Sequence, residues 1–502
     1  MWKGLDDGPS GLYNEGMTQS RSHPNGPLFA VTAPPVQVSD LPEDRQAKLG
    51  QYFTPVHVAH FMARLFSRSA QRVRLLDPGA GAGALSQATV RWFGENQVTS
   101  ITAVEIDPAV AAQFAENLTG TPHELHQADF IEWALESIGA GKRFTHAILN
   151  PPYKKISGRS RHKRQLSAAG VPSTNLYSAF IALSIRLVEP GGEIVAIVPR
   201  SFCNGLYYRP FRKDLLSLCS LDHLHLFSSR TATFKHDGVL QENVILKLTV
   251  GAKQGSVTVS HSTDDSFDDY RAQELPFESV VPDPEGERFI HVPDSDKGSQ
   301  LESLAGARYT LKQLGLKVST GPVVDFRLRS HLSAMPADGT VPLIYPGHFT
   351  RSEVCWPKPD YKKANAIFRN AETERWLYDA GTYCVVRRFS SKEESRRIVA
   401  GVIDAKALGA DEKIGFENHI NVFHAGKQGI SKRVAIGLVV YLGSAVVDKH
   451  FRQFNGHTQV NVTDLKQLPY PSTDKLEQLA GLAETHADDP KRLETEVIRT
   501  LS

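Results

Sequence analysis

The chain contains little cysteine, no paired cysteine motif and no long apolar run. Only four of its 502 residues are cysteines (Cys203, Cys219, Cys355 and Cys384), and none forms a C-x-x-C pair. Without clustered histidines, this spacing predicts neither a disulfide framework nor a metal site, and we expect reduced, structural cysteines. No segment approaches the ~20 apolar residues that a membrane span needs, and no signal-peptide pattern opens the chain. We therefore expect a cytoplasmic protein without a membrane partner.

The overall charge is too mild to identify a partner, but its distribution is uneven. The net charge is +2 and the pI about 8.2. Residues 154–164 hold six lysines and arginines and no acid, whereas residues 264–296 hold eleven acids and two arginines. Such runs are most often solvated loops. The basic run therefore gains meaning only from the motif directly before it.

Composition and patterning divide the chain into segments. We expect a disordered tail over residues 1–45, an α/β domain over 46–250, an acidic linker over 251–305, a mixed α+β domain over 306–480 and a C-terminal helix or tail over 481–502. A helix is predicted from Leu49 to Ser69, with Thr54 as its cap.

Apolar strand candidates alternate with helical stretches in the second of these segments. They end near Leu76, Val104, Leu125 and Leu149, and a further one covers Ile194 to Val198. This alternation predicts a mostly parallel sheet covered on both faces, with ligands bound at the carboxyl ends of the strands. Candidate functional residues should therefore follow each strand directly.

Glycines and acids occupy these positions after the first three strands. Asp77 to Gly83 contains three glycines at a strand-to-helix turn, where backbone amides can approach a ligand closely. Glu105 follows Gly83 by 22 residues, at the spacing of a carboxylate that accepts hydrogen bonds from ribose hydroxyls. Asp129 could accept a hydrogen bond from an adenine amino group while Phe130 packs on the ring, or Asp129 could simply cap a helix.

The fourth strand ends in the most specific motif, Asn150-Pro151-Pro152-Tyr153. Two consecutive prolines fix the backbone and remove two amide donors, which leaves acceptors at the site. The Asn150 side-chain oxygen and the Pro151 carbonyl can hold the two hydrogens of an exocyclic NH2 group. Tyr153 offers a ring on which a base taken out of the duplex stack can lie.

Taken in this order, these motifs resemble those of amino-group DNA methyltransferases. The segment Gly50 to Pro55 resembles the motif that this family places near the methionine end of its cofactor, and its N-terminal position matches the gamma arrangement. The chain is most similar to restriction-modification adenine methylases of the PstI and BsuBI type, specifically over residues 48–250 and more loosely beyond. This resemblance implies a Rossmann-like S-adenosylmethionine-dependent domain followed by a target-recognition domain.

The resemblance also implies a reaction, partners and residue roles. The reaction would be transfer of a methyl group to N6 of a flipped-out adenine in a short duplex DNA sequence, with a cognate restriction endonuclease as a possible companion. Catalytic roles would fall to Asn150, Pro151, Pro152 and Tyr153. Cofactor roles would fall to Tyr52, Phe53, Thr54, Asp77, Gly79, Gly81, Glu105, Ile106, Asp129, Phe130 and Asn150. DNA contacts are expected from Lys154, Lys155, Arg159, Arg161, Arg387 and Arg388, with Arg396 and Arg397 as further candidates.

Several alternatives stay open at this point. The target could be cytosine N4, although Asn-Pro-Pro-Tyr in this motif order resembles adenine methylases, or a glutamine amide of a protein or an amino group of RNA. Asp360 and the run Asp411-Glu412-Lys413 superficially resemble a metal-dependent nuclease pattern. A DNA-binding module without activity is disfavoured because no catalytic position is missing.

Overall fold

The computed structural model describes most of the chain. The described residues are 54–69, 71–227, 243–282, 286–291, 304, 306–350, 353–390, 394–455 and 459–501. The predicted tail over residues 1–45 and two predicted cofactor residues, Tyr52 and Phe53, lie outside them.

A nine-stranded sheet with the order β3-β2-β1-β4-β5-β7-β6-β8-β9 forms the N-terminal domain. The five strands from β3 to β5 are mutually parallel, and β7 pairs antiparallel with both β5 and β6. The parallel half confirms the predicted α/β fold. The strands are β1 Val73–Pro78, β2 Val98–Glu105, β3 His123–Gln127, β4 Phe144–Leu149, β5 Val188–Pro199, β6 Cys219–Phe227, β7 Asn243–Val250, β8 Ser256–Ser262 and β9 Arg271–Pro276.

Helices cover both faces of this sheet because its strands carry apolar side chains on both sides. The first three helices share a buried cluster with one face, and the fourth, sixth and seventh share a cluster with the other. The helices are α1 Val56–Arg64, α2 Ala84–Phe93, α3 Pro108–Asn117, α4 Phe130–Gly139, α5 Arg161–Ala168, α6 Leu176–Leu187, α7 Arg209–Leu218 and α8 Phe277–Val280. Short 3-10 helices at Arg200–Cys203 and Leu206–Tyr208 follow β5.

The predicted acidic linker over 251–305 is wrong for its first half. Strands β8 and β9 and helix α8 belong to the large sheet and its covering layer. Val257 and Val259 of β8 are buried, but β9 is the edge strand and is exposed or half-exposed along its whole length. An edge strand with polar side chains on both faces has the composition of a linker, which explains the wrong prediction.

The predicted boundaries of the first and last helices also need correction. Helix α1 covers only Val56–Arg64, and the residue before it is Pro55, with no side-chain cap, so Thr54 does not cap this helix. The predicted boundary at residue 480 falls inside a helix, Thr473–Thr485, whose Leu476 and Leu479 are fully buried. This helix therefore belongs to the C-terminal domain.

The C-terminal domain combines small sheets with a helical layer. Its sheets have the orders β11-β19-β16-β17, β12-β14-β13-β18-β15 and β10-β20. The strands are β10 Ala307–Tyr309, β11 Lys317–Thr320, β12 Leu332–Ser333, β13 Thr340–Ile344, β14 Ala366–Phe368, β15 Tyr378–Asp379, β16 Thr382–Arg387, β17 Ala400–Asp404, β18 Lys413–Phe416, β19 Ile420–His424 and β20 Tyr470–Pro471. The helices are α9 Lys432–Gly443, α10 Ala445–Phe454, α11 Val462–Gln467, α12 Thr473–Thr485 and α13 Pro490–Leu501.

No single helix in the described part of the chain is long and apolar enough to cross a membrane. Helices α9 and α10 meet that test only as a pair, by length and composition, and are bent by 63° at the break between them. The expected cytoplasmic location stays a prediction.

A buried arginine ties the N-terminal domain to the segment that leads into the C-terminal domain. Arg212 of α7 is fully buried. Its Nη1 donates to the carbonyls of Phe202 and Gly205 at 2.9 and 2.7 Å, and its Nε and Nη2 donate to the carbonyl of Glu287 at 3.2 and 2.9 Å. The guanidinium also lies 4.9 Å from the ring centroid of Phe289, which packs in the C-terminal core.

We expect Arg212→Met to lower the free energy of unfolding by about 3 kcal/mol, because buried carbonyls would lose charged donors that no water replaces. Chemical denaturation followed by circular dichroism measures this change. Lys213→Met, at the exposed neighbouring position, is the matched control and should change the free energy by less than about 0.5 kcal/mol. Equal losses in the two variants would contradict the role assigned to Arg212.

Candidate active site at the carboxyl edge of the parallel strands

The motif residues converge because the parallel strands end at one edge of the sheet. Glycine-rich residues follow β1, Glu105 ends β2, Asp129 follows β3 and Asn150 follows β4. Register fixes their relative heights, since Pro78 pairs with Val104 and Glu105 with Gln127. The edge therefore carries a row of polar groups supplied by neighbouring strands.

Glu105 holds the glycine turn in place. Its Oε2 accepts a hydrogen bond from the Gly81 amide at 3.0 Å, and its Oε1 accepts one from the Asp107 amide at 2.9 Å. Gly79 and Gly81 have φ angles of 71° and 55°, in the left-handed region that favours glycine. Glu105 is only 4% exposed, and burial raises the pKa of its carboxyl above the usual value.

Asp77 is a buried acid beneath this turn. Its Oδ2 accepts a hydrogen bond from the Ser86 hydroxyl at 2.6 Å, while its buried Oδ1 has no hydrogen-bond partner among the described residues. Burial disfavours the charged form, and the nearby Glu105 adds to this effect, so the pKa of Asp77 is raised to about 7 although the Ser86 hydrogen bond opposes the shift. The site thus contains an acceptor atom that lacks a donor.

Asp129 caps a helix, which is the alternative role that the sequence offered for it. Its Oδ1 accepts from the amides of Ile131 and Glu132 at 2.9 and 3.3 Å at the start of α4. Its Oδ2 lies 3.0 Å from Nε2 of His162, a residue that the sequence analysis missed. Phe130, predicted to pack on a ligand ring, is only 3% exposed and packs against Phe180. It points into the core because it begins α4 on the face turned toward the sheet.

Ile106 is not buried as a core residue of its type would be. Ile106 is 52% exposed although it is a large apolar residue at the end of β2, so its side chain offers an apolar surface at this edge.

The Thr54 hydroxyl accepts a hydrogen bond from Nδ2 of Asn150 at 3.0 Å. The Tyr153 hydroxyl donates to Oδ1 of Asn150 at 3.2 Å. The amide of Asn150 is thereby held from both of its ends.

Aromatic side chains continue from Tyr153 along the edge. The ring centroids of Tyr153 and Tyr177 lie 6.3 Å apart, and those of Tyr177 and Tyr208 lie 5.7 Å apart in a stacked arrangement. Asn175, which caps α6, donates to the Tyr208 hydroxyl at 2.7 Å. Tyr208 was missed because it lies far from the motif in sequence and is separated from the end of β5 by a short 3-10 helix.

The predicted DNA-contacting residues fall into two separate groups. Lys154, Lys155, Arg159 and Arg161 are exposed on the segment that leaves Tyr153 and leads into α5. Arg161 Nη1 lies 3.0 Å from Oε1 of Glu132.

The second group lies at the end of β16 in the C-terminal domain. Arg387 and Arg388 donate to the carbonyls of Phe349 and Asn418 at 2.5 and 3.1 Å. Both are half-buried, and they directly precede Phe389, which is 48% exposed.

The remaining candidates contact other residues of the chain, and one of them is buried. Arg397 is 1% exposed and donates to Ser390 and Asn455 at 3.1 and 3.0 Å, so its suggested DNA contact is wrong. Arg396 lies 3.8 Å from Glu494. In the proposed nuclease pattern, Glu412 pairs with Arg369, while Lys413 pairs with Glu374 and Asp379. Within the described ranges, no group of three or more His, Cys, Asp or Glu side chains is arranged to bind a metal ion.

Comparison with known proteins places this architecture among methyltransferases. A family model described as Eco57I restriction-modification methylase matches residues 95–234. The chain is 49% identical to the type II methyltransferase M.BsuBI of Bacillus subtilis, over 86% of this chain and 89% of that protein. It is 40% identical to the type II methyltransferase M.PstI of Providencia stuartii, over 88% and 91%.

A solved structure shares the fold at low sequence identity. The type IIL restriction-modification enzyme MmeI, solved in complex with DNA, superposes with a TM-score of 0.51 at 11% identity, over 91% of this chain and 71% of that one. The α/β methyltransferase fold expected from the sequence is thereby confirmed.

The raised pKa of Asp77 predicts a pH dependence of stability. The folded chain binds the Asp77 proton more tightly than the unfolded chain, whose pKa is near 3.8, so this stabilisation is complete below about pH 4 and is lost as pH rises through about 7. We expect Asp77→Asn to reduce the fall in unfolding free energy across this range by on the order of 3 kcal/mol.

Denaturation curves at several pH values measure this fall. Burial also raises the pKa of Asp464 to about 7. The unfolding free energy of Asp77→Asn should therefore still fall somewhat with pH, because Asp464 still titrates in this variant. The exposed Asp488→Asn is the control and should keep the wild-type profile. An unchanged profile in Asp77→Asn would show that Asp77 titrates normally.

Proposed function

This chain belongs to the type II methyltransferases of restriction-modification systems, the family of M.BsuBI and M.PstI, and on that premise we propose that it methylates N6 of adenine in duplex DNA with S-adenosylmethionine as the methyl donor. The methylated sequence would be protected from a companion endonuclease that recognises the same site. The observation that carries this proposal is the Asn150 amide, held between Thr54 and Tyr153 at the end of β4.

The residues at the carboxyl edge fit the proposed cofactor. A Cβ added at Gly81 would meet nothing within 4 Å, so the turn has open space beside it. The buried Oδ1 of Asp77 can accept a hydrogen bond or face a positive charge. Glu105 would accept from ribose hydroxyls with the lone pairs that the Gly81 and Asp107 amides leave. Ile106 would offer apolar surface to a planar ring, and Asp129 would accept from an adenine amino group. When bound, the cofactor supplies an electrophilic methyl group on a sulfonium centre.

The protein's own contribution is to orient the target amino group. Asn150 Oδ1 and the Pro151 carbonyl accept its two hydrogens, which turns the nitrogen lone pair toward the methyl group. These two acceptors would stabilise the positive charge that develops on the amino nitrogen as it takes up the methyl group. The extra proton then leaves to solvent. Because the leaving group is neutral, no strong base is required, and positioning can supply most of the rate.

The residues of the catalytic motif favour adenine over cytosine as the target base. Physical chemistry alone does not separate adenine N6 from cytosine N4, because both present an amino group beside a ring nitrogen. The sequence Asn150-Pro151-Pro152-Tyr153 resembles adenine methylases, whereas cytosine-N4 enzymes more often carry Ser first and Trp last. Tyr153, half-buried beside Tyr177, provides an aromatic face for the extruded base.

We further propose a division of labour on DNA. The exposed cations that follow Tyr153 would contact phosphates beside the extruded adenine, because this segment leaves the catalytic motif directly. Arg387 and Arg388, beside the exposed Phe389, would contact DNA from the C-terminal domain, which would select the target sequence. Arg200 connects the N-terminal and C-terminal domains, since it follows β5 and donates to the backbone carbonyls of Arg452 and Gln453 in α10.

The product assay is the direct test of this function. Duplex DNA incubated with the protein and labelled S-adenosylmethionine, then digested to nucleosides, should carry the label as N6-methyldeoxyadenosine. Asn150→Ala should abolish the label while largely preserving DNA affinity, since Asn150 acts on the amino group rather than on phosphates. Tyr153→Phe keeps the ring but loses the hydroxyl contact to Asn150, so its rate should fall only about tenfold, whereas Tyr153→Ala, which loses both, should retain little activity.

Two results of this assay would contradict the proposal. Label recovered as N4-methyldeoxycytidine would move the target to cytosine. Label found only in RNA or protein would remove DNA as the substrate.

The Thr54 contact generates a separate expectation. Thr54→Ala should lower the single-turnover methylation rate about tenfold, because it removes one of the two hydrogen bonds that hold the Asn150 amide, a loss of roughly 1.4 kcal/mol. Thr54→Ser retains the hydroxyl and should keep most of the rate. Rapid-quench measurements with saturating cofactor and DNA distinguish the two variants. If Thr54→Ser is as slow as Thr54→Ala, the hydroxyl is not the group that matters.

A further inference from the structure

Helix α5 carries a histidine that contacts the proposed cofactor site. Nε2 of His162 lies 3.0 Å from Oδ2 of Asp129, and the two side chains are 30% and 27% exposed. On the neighbouring position of the same helix, Arg161 lies 3.0 Å from Glu132, and that pair is 69% and 31% exposed. Asp129 caps α4 and Glu132 lies in its first turn, so α5 is docked on the residues that follow β3.

The two pairs differ in what their acids do. Glu132 has no assigned role, whereas Asp129 is the proposed acceptor for the cofactor's adenine amino group. Both backbone donors on Asp129 use Oδ1, so Oδ2 is the oxygen left for a ligand. A carboxylate oxygen can accept two hydrogen bonds. Oδ2 can therefore bind His162 and an amino group together, with the histidine fixing its orientation.

The segment that carries His162 is firmly held at its base. Leu166 of α5 is fully buried. The Leu176 amide donates to the Lys154 carbonyl at 2.8 Å, and Lys163 Nζ donates to the Ser173 carbonyl at 2.9 Å. These contacts anchor the two ends of residues 154–176 and the middle of α5, while His162 and Arg161 hold the first turn of α5 against the start of α4. The contact of His162 with Asp129 therefore acts on the first turn of α5, beside the basic residues, rather than on the folding of the whole segment.

We propose that His162 is a positioning residue of the cofactor site, which orients Asp129 toward the adenine amino group and links cofactor binding to the basic segment that contacts DNA. This inference rests on the proposed function. When the cofactor binds Asp129, it stabilises the contact between Asp129 and His162, and this contact holds the first turn of α5 in place. The exposed Lys155, Arg159 and Arg164 belong to the same segment and are thereby kept in position. Cofactor and DNA then strengthen each other's binding by the same factor, as linkage requires.

Calorimetry with S-adenosylhomocysteine, the demethylated cofactor, tests the first part. His162→Ala should weaken its binding about fivefold to tenfold, and His162→Gln should restore most of the affinity because its amide can donate to the same oxygen. Binding of S-inosylhomocysteine, in which a carbonyl replaces the adenine amino group, should be unaffected by His162→Ala. In an Asp129→Asn background, His162→Ala should add little, since the effect acts through that carboxylate.

DNA affinity with and without S-adenosylhomocysteine tests the second part. The cofactor product should raise the affinity of the wild type for cognate duplex DNA severalfold and that of His162→Ala hardly at all. His331→Ala is the matched control, because its Nε2 lies 3.2 Å from Glu372 in a similar pair within the C-terminal domain. It should leave both affinities and their coupling unchanged.

The outcomes separate the inference from the function on which it rests. The role of His162 is overturned if the wild type binds S-adenosylhomocysteine and methylates DNA, and His162→Ala binds S-adenosylhomocysteine and cognate DNA with the same affinities as the wild type. Equal weakening of S-adenosylhomocysteine and S-inosylhomocysteine, or a lowered unfolding temperature in both His162 variants, would make His162 a structural residue and also overturn it. A wild type that neither binds S-adenosylhomocysteine nor methylates DNA would overturn the proposed function itself.

Discussion

The carboxylate of Glu105 joins two of the backbone turns on which the site depends. It accepts from the amides of Gly81 and Asp107, so the glycine turn after β1 and the start of α3 are fixed relative to each other by one buried side chain. These turns leave strands that are paired in parallel, and the turns after β3 and β4 lie at the same edge. The geometry of the site is thereby determined by backbone and buried carboxylate rather than by flexible surface groups.

Sequence reasoning correctly located the residues that lie next to a strand end. Asp77, Glu105, Asp129 and Asn150 could all be located because hydrophobic strands are visible in the sequence and a parallel sheet aligns their carboxyl ends. It failed for side chains whose direction depends on packing. Phe130 was expected at the ligand but lies in the core, because its orientation follows from how α4 sits on the sheet.

Contacts between distant parts of the chain were also beyond prediction. The hydrogen bond from Asn150 to Thr54 spans 96 residues, and nothing in either local sequence indicates it. The same holds for His162 on Asp129 and for Tyr208 beside Tyr177. Charge patterning correctly suggested an exposed basic segment, but it could not distinguish Arg161, which pairs with an acid at the surface, from Arg397, which is buried.

The exposed edge strand β9 bears on how this protein behaves at high concentration. A sheet edge presents unpaired amide and carbonyl groups that can recruit a strand from another molecule. In β9 the charged Arg271 and Glu274 are present, Pro276 ends the strand without an amide donor, and side chains on both faces are exposed or half-exposed. A strand of this kind offers an incoming chain little apolar surface to bury. The edge is therefore a poor template for aggregation, although it ends a sheet of nine strands.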